Sequence, residues 1–236
     1  MSGLPGSGFA VNPNGDLDFH GAMSFSTPIA YSLGKYRFVG GGSVVSNSGK
    51  FTFFHNFGKD KADGNGTGQA MMGLGLDRVG NLTAGLMFLS GEADTAINFH
   101  FTPGYQKGPV RFAIGVQDIG GNGGSSGEAL TNAASSTSAY IVGTWMAAED
   151  TYVSLGTGSR RFRGLFGNAS TNLSPQFKAW TEYDTYNFNF GVAWNPFGKK
   201  KGLEEDLTAK KQSFQPTFMV GLLRGKYATW SINIGF

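Results

Sequence analysis

The sequence predicts an all-β protein, a single transmembrane antiparallel up-and-down β-barrel of roughly 12 to 14 strands. Apolar and polar residues alternate with period 2 along much of its 236 residues, as in strands with one apolar and one polar environment. Only 15% of the residues are charged, whereas 38 are Gly and 21 are Phe. No stretch approaches the ~18 consecutive apolar residues of a transmembrane helix, which excludes a helical membrane protein.

The alternation predicts one face in lipid and one in water. It begins with Leu17, Phe19, Met23 and Phe25, which occupy alternate positions of the predicted first strand. Further alternating segments cover 69–76, 97–102 and 110–117, and the clearest covers 186–195. The polar face of that last segment is rich in asparagine, whose amides would stay unsatisfied in a dry core but bind water. We therefore predict a wet interior.

About thirteen segments have the pattern, each close to the 9 to 11 residues of a tilted membrane strand. Single-chain bacterial barrels close with an even number of strands, so one segment is expected to be misassigned. Pro28, which can end or split the first strand, marks the most suspect segment. The length suits one β-barrel domain over residues 1–236, with residues 1–15 as a flexible N-terminal segment.

The last ten residues resemble a known targeting signal. Trp230, Ile232, Ile234 and Phe236 share one face of a strand that ends on an aromatic residue. The final strands of bacterial outer-membrane barrels end in the same way, and there the pattern acts as an insertion signal. The resemblance implies a bacterial outer-membrane location, with membrane lipid and the barrel-assembly machinery as partners.

Connection lengths are expected to alternate between short and long. Short turns are predicted near 48, 77–79, 149–150, 185 and 225–226, and long segments at 58–68, 119–138, 159–175 and 197–213. Barrels of this class usually have short periplasmic turns. A final strand that ends in the periplasm would instead place every long segment there. Either the loop lengths are inverted, or the predicted strand parity is off by one near the end. The well-patterned strands on both sides of the 225–226 turn favour inverted loop lengths.

Polar residues on the inner faces are the candidate pore-lining residues. They are Asn98, His100, Arg111, Gln117, Lys178, Trp180, Glu182, Asp184, Asn187, Asn189 and Asn233. Lys178, Glu182, Asp184 and Arg111 are expected to form an ion-pair lattice in the lumen. The alternative is a sugar-binding patch, because two carboxylates two residues apart on a strand lie about 7 Å from each other, within the range of glycosidase pairs.

Several inward positions are glycines, at 73, 75, 85, 115, 143 and 191. They leave room for either a water path or a plug formed by the N-terminal segment or a long loop. His20, His55 and His100 have no ligand spacing to other metal-binding residues, so neither a metal nor a cofactor is predicted.

Basic residues recur in the predicted long segments. They are Lys59, Lys61, Arg160, Arg161, Arg163, Lys199, Lys200, Lys201, Lys210 and Lys211. They are either solvated loop residues or an anion-binding rim for polysaccharide or lipopolysaccharide. The formal net charge of +3 is too mild to indicate nucleic-acid binding.

Residues 152–197 are similar to a module of the YjbH-type outer-membrane proteins. The matching residues are Phe162, Gly164, Phe166, Gly167, Glu182, Tyr183, Asp184, Asn189 and Gly191, and Asn168 replaces a glycine of that pattern. The resemblance implies a lipid-embedded barrel associated with exopolysaccharide export, without catalysis.

The function expected from the sequence is therefore a passive pore or a scaffold in the envelope. A lumen or rim enzyme acting on sugar or lipid is the alternative. A soluble β-sandwich or barrel, with its aromatic faces packed inward, is a third.

Overall fold

The structure, a computed structural model, describes residues 2–46, 64–89, 94–121, 137–198 and 214–236. Twelve strands form one antiparallel sheet. They are β1 (Phe38–Ser46), β2 (Gly64–Gly75), β3 (Gly80–Leu89), β4 (Asp94–Pro103), β5 (Val110–Gln117), β6 (Ser138–Ala148), β7 (Thr151–Gly158), β8 (Gly164–Ser174), β9 (Phe177–Tyr183), β10 (Phe188–Trp194), β11 (Gln215–Leu223) and β12 (Tyr227–Gly235).

The sheet closes into a barrel in which each strand pairs with its sequence neighbours and β1 pairs with β12. At this seam Val39 lies opposite Gly235 and Val45 opposite Thr229. Phe236 extends the pairing, since its N–H donates to Phe38 O at 2.9 Å. The predicted all-β barrel is thus confirmed, with 12 strands. The interpretation of residues 230–236 as an insertion signal stays a prediction.

The outside of the barrel is apolar, as the alternation predicts. Phe188 is 69% exposed, and Phe190 and Ile232 are each 48% exposed. Every strand contributes at least one exposed large apolar side chain to this outer surface. Examples in strand order are Phe38, Met72, Leu86, Ile97, Ile114, Ile141, Leu155, Leu165, Phe177, Phe190, Val220 and Ile232. No helix among the described residues has the length and apolar composition to cross a membrane.

The predicted first strand at 17–25 is wrong. This stretch makes only isolated bridges, Val11 with Leu17, Val11 with Ala22 and Ser7 with Ser24, and it lies inside the barrel. Its Leu17, Phe19 and Phe25 side chains are buried rather than exposed to lipid. Alternation arises here because the apolar side chains pack into the clusters of the lumen, whereas Asp18 and His20 between them stay partly exposed.

The barrel has two rims, named after residues at their ends. The Phe236 rim carries the connections 76–79, 104–109, 149–150, 175–176 and 195–214. The Tyr183 rim carries the connections 47–63, 90–93, 118–137, 159–163, 184–187 and 224–226.

The predicted long segment at 159–175 is wrong, because most of it is β8. Leu165 and Leu173 are the large apolar residues on its outer face, and small residues between them weaken the alternation. Because β8 adds one crossing from rim to rim, each connection before it lies at the rim opposite to the predicted one. Two long connections therefore lie opposite Phe236, and the predicted inversion of loop lengths is replaced by mainly short turns at the Phe236 rim.

Candidate functional site

Residues 2–37 fold into the interior of the barrel and form what we call the plug. The plug enters at the Phe236 rim, where Tyr36 N–H donates to Gly73 O at 3.0 Å. At its other end Ser2 O accepts a hydrogen bond of 2.8 Å from Gln117 Nε2, close to the Tyr183 rim. The plug therefore spans the length of the lumen.

Most of the plug is buried. Between residues 2 and 33 only six side chains are partly or fully exposed, and they are Asn12, Pro13, Asn14, Asp16, Asp18 and His20. The flexibility expected for residues 1–15 stays a prediction. Of the two alternatives for the inward glycines, the plug formed by the N-terminal segment is the one observed.

Two of those glycines allow the plug to approach the wall. A Cβ atom at Gly73 would overlap Gly34 O, and one at Gly85 would overlap Gly3 O. Only a residue without a side chain permits these contacts between backbones. The glycines therefore position both ends of the plug.

Apolar side chains of the plug and the wall pack into three clusters. The first contains Phe9, Leu17 and Tyr31 of the plug together with Val39 and Tyr152 of the wall. The second brings plug residues against Trp180, Ala193 and Met219. The third surrounds Leu4 and Ala30 with Ala113, Tyr140, Val142, Phe162 and Phe166. The lumen is thus a packed core and not the wet interior that the sequence predicts.

Glu182 on β9 is the most densely bonded side chain of the wall. Its Oε2 accepts hydrogen bonds from the N–H groups of Phe25 (3.1 Å), Ser26 (2.9 Å) and Thr27 (3.2 Å), and from Thr27 Oγ1 (3.1 Å). Its Oε1 accepts from Ser26 Oγ at 2.6 Å and from Asn189 Nδ2 at 3.0 Å. Three successive N–H groups aimed at one oxygen form a nest for an anion, so the carboxylate holds this turn of the plug.

Neutral wall side chains bind the backbone of the plug elsewhere. These contacts are Gln69 Oε1 with Gly3 N (3.1 Å), Gln69 Nε2 with Ser7 O (2.6 Å), Asn233 Nδ2 with Gly8 O (2.9 Å), Asn98 Nδ2 with Gly3 O (3.1 Å), Thr144 Oγ1 with Ala30 N (2.8 Å) and Thr83 Oγ1 with Leu33 N (2.8 Å). They supply partners for a plug backbone that has little secondary structure of its own.

Next to Glu182, the inner face of β9 presents Trp180 and Lys178. The Phe25 ring stacks on Trp180 with 5.6 Å between centroids and 13° between planes. Lys178 is fully buried, and its Nζ lies 5.8 Å from the centroid of the Phe19 ring. Neither Trp180 Nε1 nor Lys178 Nζ has a hydrogen-bond partner among the described residues.

The predicted ion-pair lattice of Lys178, Glu182, Asp184 and Arg111 does not form, since no ion pair within 4.0 Å joins these four described residues. Asp184 instead caps the turn at 184–187, accepting from Asn187 N–H at 2.8 Å. Asn189 Nδ2 donates to both Glu182 and Asp184, at 3.0 Å each. Because the plug saturates Glu182, the two carboxylates give no support to the enzyme interpretation.

The other predicted inward residues also face the plug or the wall. Asn98, His100, Gln117 and Asn233 are buried, and His100 Nδ1 lies 2.7 Å from Tyr140 Oη. His20 belongs to the plug, and its Nδ1 lies 2.8 Å from Asp150 Oδ2 at the Phe236 rim. No group of three His, Cys, Asp or Glu residues able to hold a metal ion occurs in the described part of the chain.

The predicted basic rim is divided. Arg160 and Arg163 are exposed at the Tyr183 rim, where Arg160 begins a short 3₁₀ helix (Arg160–Phe162) and Arg163 follows its end. Burial lowers the pKa of Arg161 from its ordinary value, and the charges of Asp184 and Glu182 oppose that effect. Lys199, Lys200, Lys201, Lys210 and Lys211 lie outside the described residues. Lys59, Lys61 and His55 also lie outside the described residues.

The same 3₁₀ helix adds to the closure of the lumen. Phe162 is 1% exposed and packs between Tyr140, at 4.9 Å between ring centroids, and Phe166, at 5.1 Å. Sequence reasoning missed this helix and the role of residues 22–33. The sequence offered one signal of a non-strand segment that bonds to the wall, in Ser24, Ser26, Thr27 and Pro28. The three hydroxyl groups are hydrogen-bond donors, and a proline ends a strand.

No protein-family model matches this sequence, and no curated protein sequence matches it significantly. Among solved structures, the "KdgM porin" is similar, with a TM-score of 0.51, 10% identity, and coverage of 85% of this chain and 98% of that chain. The outer membrane protein Omp33 of Acinetobacter baumannii gives a TM-score of 0.43 at 10% identity, covering 86% of this chain and 98% of its own. The likeness to the KdgM porin shows a shared porin-like barrel fold.

Proposed function

We propose that this chain is a bacterial outer-membrane channel that its own N-terminal plug holds closed. The apolar outer surface of all twelve strands supports the membrane location, because a water-soluble barrel would expose polar side chains there. The Phe236 rim carries one long connection, 195–214, and the Tyr183 rim carries two, 47–63 and 118–137. Since the long connections of such barrels are usually extracellular, we infer that the Phe236 rim faces the periplasm and the Tyr183 rim the cell exterior.

The observation that carries the closed state is the packing of the plug. Nine Leu, Phe, Val, Met and Ile side chains of residues 4–33 are buried in the lumen. At about 1.5–3 kcal/mol for each, releasing the whole plug into water costs on the order of 20 kcal/mol, an upper figure. This apolar burial opposes loss of the entire plug, whereas the conformational entropy of the released chain favours it. We therefore infer that opening proceeds by a partial movement or with a driving ligand.

Conductance in planar bilayers tests this proposal. We expect the full-length chain to be silent and a variant lacking residues 2–33 to form discrete channels, because the deletion removes the material between opposite walls. Steady conductance of the full-length chain contradicts the closed state. Silence of a deletion variant that retains its β-sheet circular dichroism contradicts the channel.

A cross-link provides a second test that keeps the chain at full length. In the Glu182→Gln background, which loosens the plug, we expect brief openings. Thr27→Cys with Asn168→Cys, which replaces atoms 2.9 Å apart, should abolish the openings until a reductant is added. The matched control is Thr151→Cys with Thr171→Cys, whose Oγ1 atoms are 2.8 Å apart on β7 and β8. That pair ties wall to wall, so it should leave the openings unchanged.

We also propose a link to envelope polysaccharide export, which is more specific than the channel function. Its support is the YjbH-type resemblance of residues 152–197 and the two exposed arginines at the Tyr183 rim. Lipopolysaccharide is the alternative anion at that rim, while membrane lipid and the assembly machinery are the remaining partners. Arg160→Ala with Arg163→Ala should weaken binding of acidic polysaccharide at low salt. Absence of binding by the unmodified chain at low salt contradicts the link.

A further inference from the structure

The inner face of β9 combines three side chains whose chemistry is unusual for a packed interior. Lys178, Trp180 and Glu182 occupy alternate positions and are 0%, 3% and 1% exposed. They present a cation, a flat aromatic ring and a carboxylate in a row. The plug covers all three.

The part of the plug that lies on this row has two chemical features. Its Phe25 ring covers the face of Trp180, with 13° between the planes. Its three N–H groups and two hydroxyl groups at Phe25, Ser26 and Thr27 all donate to Glu182. A flat apolar face beside a cluster of donors is also what a pyranose ring presents, through its C–H face and its hydroxyl groups.

The fit of the peptide to this row is incomplete. Trp180 Nε1 and Lys178 Nζ are buried donors without a hydrogen-bond partner among the described residues. The Phe19 and Phe25 rings beside these two side chains have no oxygen to offer. The hydroxyl oxygens of a sugar are acceptors for Lys178 Nζ, so a sugar would pair the ammonium group that the plug leaves without a partner. Trp180 Nε1 lies in the indole plane, so a ligand stacked on the face of the ring does not reach it.

Access to the row needs only a local movement. Glu182 is the penultimate residue of β9, next to the Tyr183 rim. Ser26, at 8% exposure, is the least buried of the residues that bind it. A ligand arriving at that rim would have to displace residues 24–28 to reach Glu182 and Trp180, and the Phe19 ring as well to reach Lys178. The apolar contacts of residues 4–11 would stay in place.

We propose that Trp180, Glu182 and Lys178 form a subsite for a neutral carbohydrate, and that residues 25–27 occupy it in the closed state. The inference rests on the proposed channel, since the subsite is filled when the plug is closed. Neutral sugars are specified because the Glu182 carboxylate would repel a uronic acid at the same position. Sugar binding and plug closure therefore compete.

Calorimetric titration with a glucose hexamer tests the subsite, in a detergent without a sugar headgroup. We expect the variant lacking residues 2–33 to bind the α-1,4- or the β-1,4-linked hexamer at least about tenfold more tightly than the full-length chain. A hexamer of glucuronic acid should bind more weakly. Absence of hexamer binding by the deletion variant overturns the subsite.

A pair of tryptophan variants separates the subsite from unspecific binding. In the deletion background, Trp180→Leu should lower hexamer affinity by about tenfold or more, because it removes the stacking surface. Trp194→Leu, on the outer face of β10, should leave the affinity unchanged. Equal affinities of the two variants overturn the subsite. If the deletion variant conducts but does not bind sugar, the channel proposal stands while the subsite fails.

A labelling experiment covers the case in which the deletion variant does not fold. In the full-length chain, we expect the hexamer to raise the thiol-modification rate of Ser26→Cys several-fold, since the sugar displaces that turn. Ser159→Cys, at an exposed position of the same rim, should react at the same rate with and without sugar. An unchanged rate at position 26 with saturating hexamer overturns the subsite.

Discussion

Glu182 holds the plug as an anion in a nest of donors, and this role gives a testable stability effect. Glu182→Gln keeps the size of the side chain but replaces one acceptor oxygen with an NH₂ group that faces other donors. We expect a loss of about 1–3 kcal/mol in the free energy of unfolding, measured by urea denaturation in micelles.

The control for that change is Glu149→Gln, at an exposed carboxylate in the β6–β7 turn. It should shift the free energy of unfolding by no more than about 0.5 kcal/mol. Equal losses at positions 149 and 182 would show that the nest contributes nothing specific.

Gly73 tests the close approach of plug and wall. Gly73→Ala places a methyl group against Gly34 O, so we expect destabilisation of about 1–3 kcal/mol by overpacking. Gly42→Ala is the matched control on β1, because the nearest atom there is 3.4 Å away. Differential scanning calorimetry of both variants should show a lower Tm for the first alone. An unchanged Tm for Gly73→Ala would mean that the plug does not rest against β2.

The partners of Glu182 could not be predicted from sequence, although the carboxylate itself was singled out. Phe25 and Ser26 lie 157 and 156 residues away from it in the chain. No local pattern connects positions so far apart. The polarity of the inner face of β9 was visible, but whether water or the plug satisfies it depends on tertiary packing.

At the scale of elements, period-2 alternation predicted most strands because it is a local consequence of two different environments. It failed where those environments are unusual. Residues 17–25 alternate inside the lumen and form no strand, whereas β8 is a true strand with few large outer residues. The missed strand β8 alone produced the wrong loop parity, because the sides of the connections were counted back from the C-terminal strand.

The cost of a charged substitution on the outer face of a strand depends on the depth of that position in the membrane. Leu155 lies in the middle of β7 and Leu173 near the end of β8, with similar exposures of 61% and 64%. We expect Leu155→Arg to destabilise the folded barrel in bilayers by about 2–4 kcal/mol, and Leu173→Arg by about 0–1 kcal/mol. Equal, small effects at both positions would indicate that neither side chain contacts lipid.

The whole molecule combines a porin-like wall with a packed interior. In a barrel that is only a passive pore, water covers the polar inner face. Here three apolar clusters and the Glu182 nest replace that water. The central claim is therefore that lipid surrounds the barrel while its own residues 2–37 close it.

Spin labels along β7 test this claim most directly, because the chain contains no cysteine and each label can be placed singly. The positions are 153, 154, 155 and 157 in bilayers, and the measurement is collision with oxygen, which concentrates in lipid, and with a water-soluble nickel complex. We expect high oxygen access at 153, 155 and 157, and low access to both reagents at 154, since Ser154 is 1% exposed against the filled lumen. Strong nickel access at 154 would reveal an open water-filled pore, and loss of the alternation would contradict the lipid-facing surface.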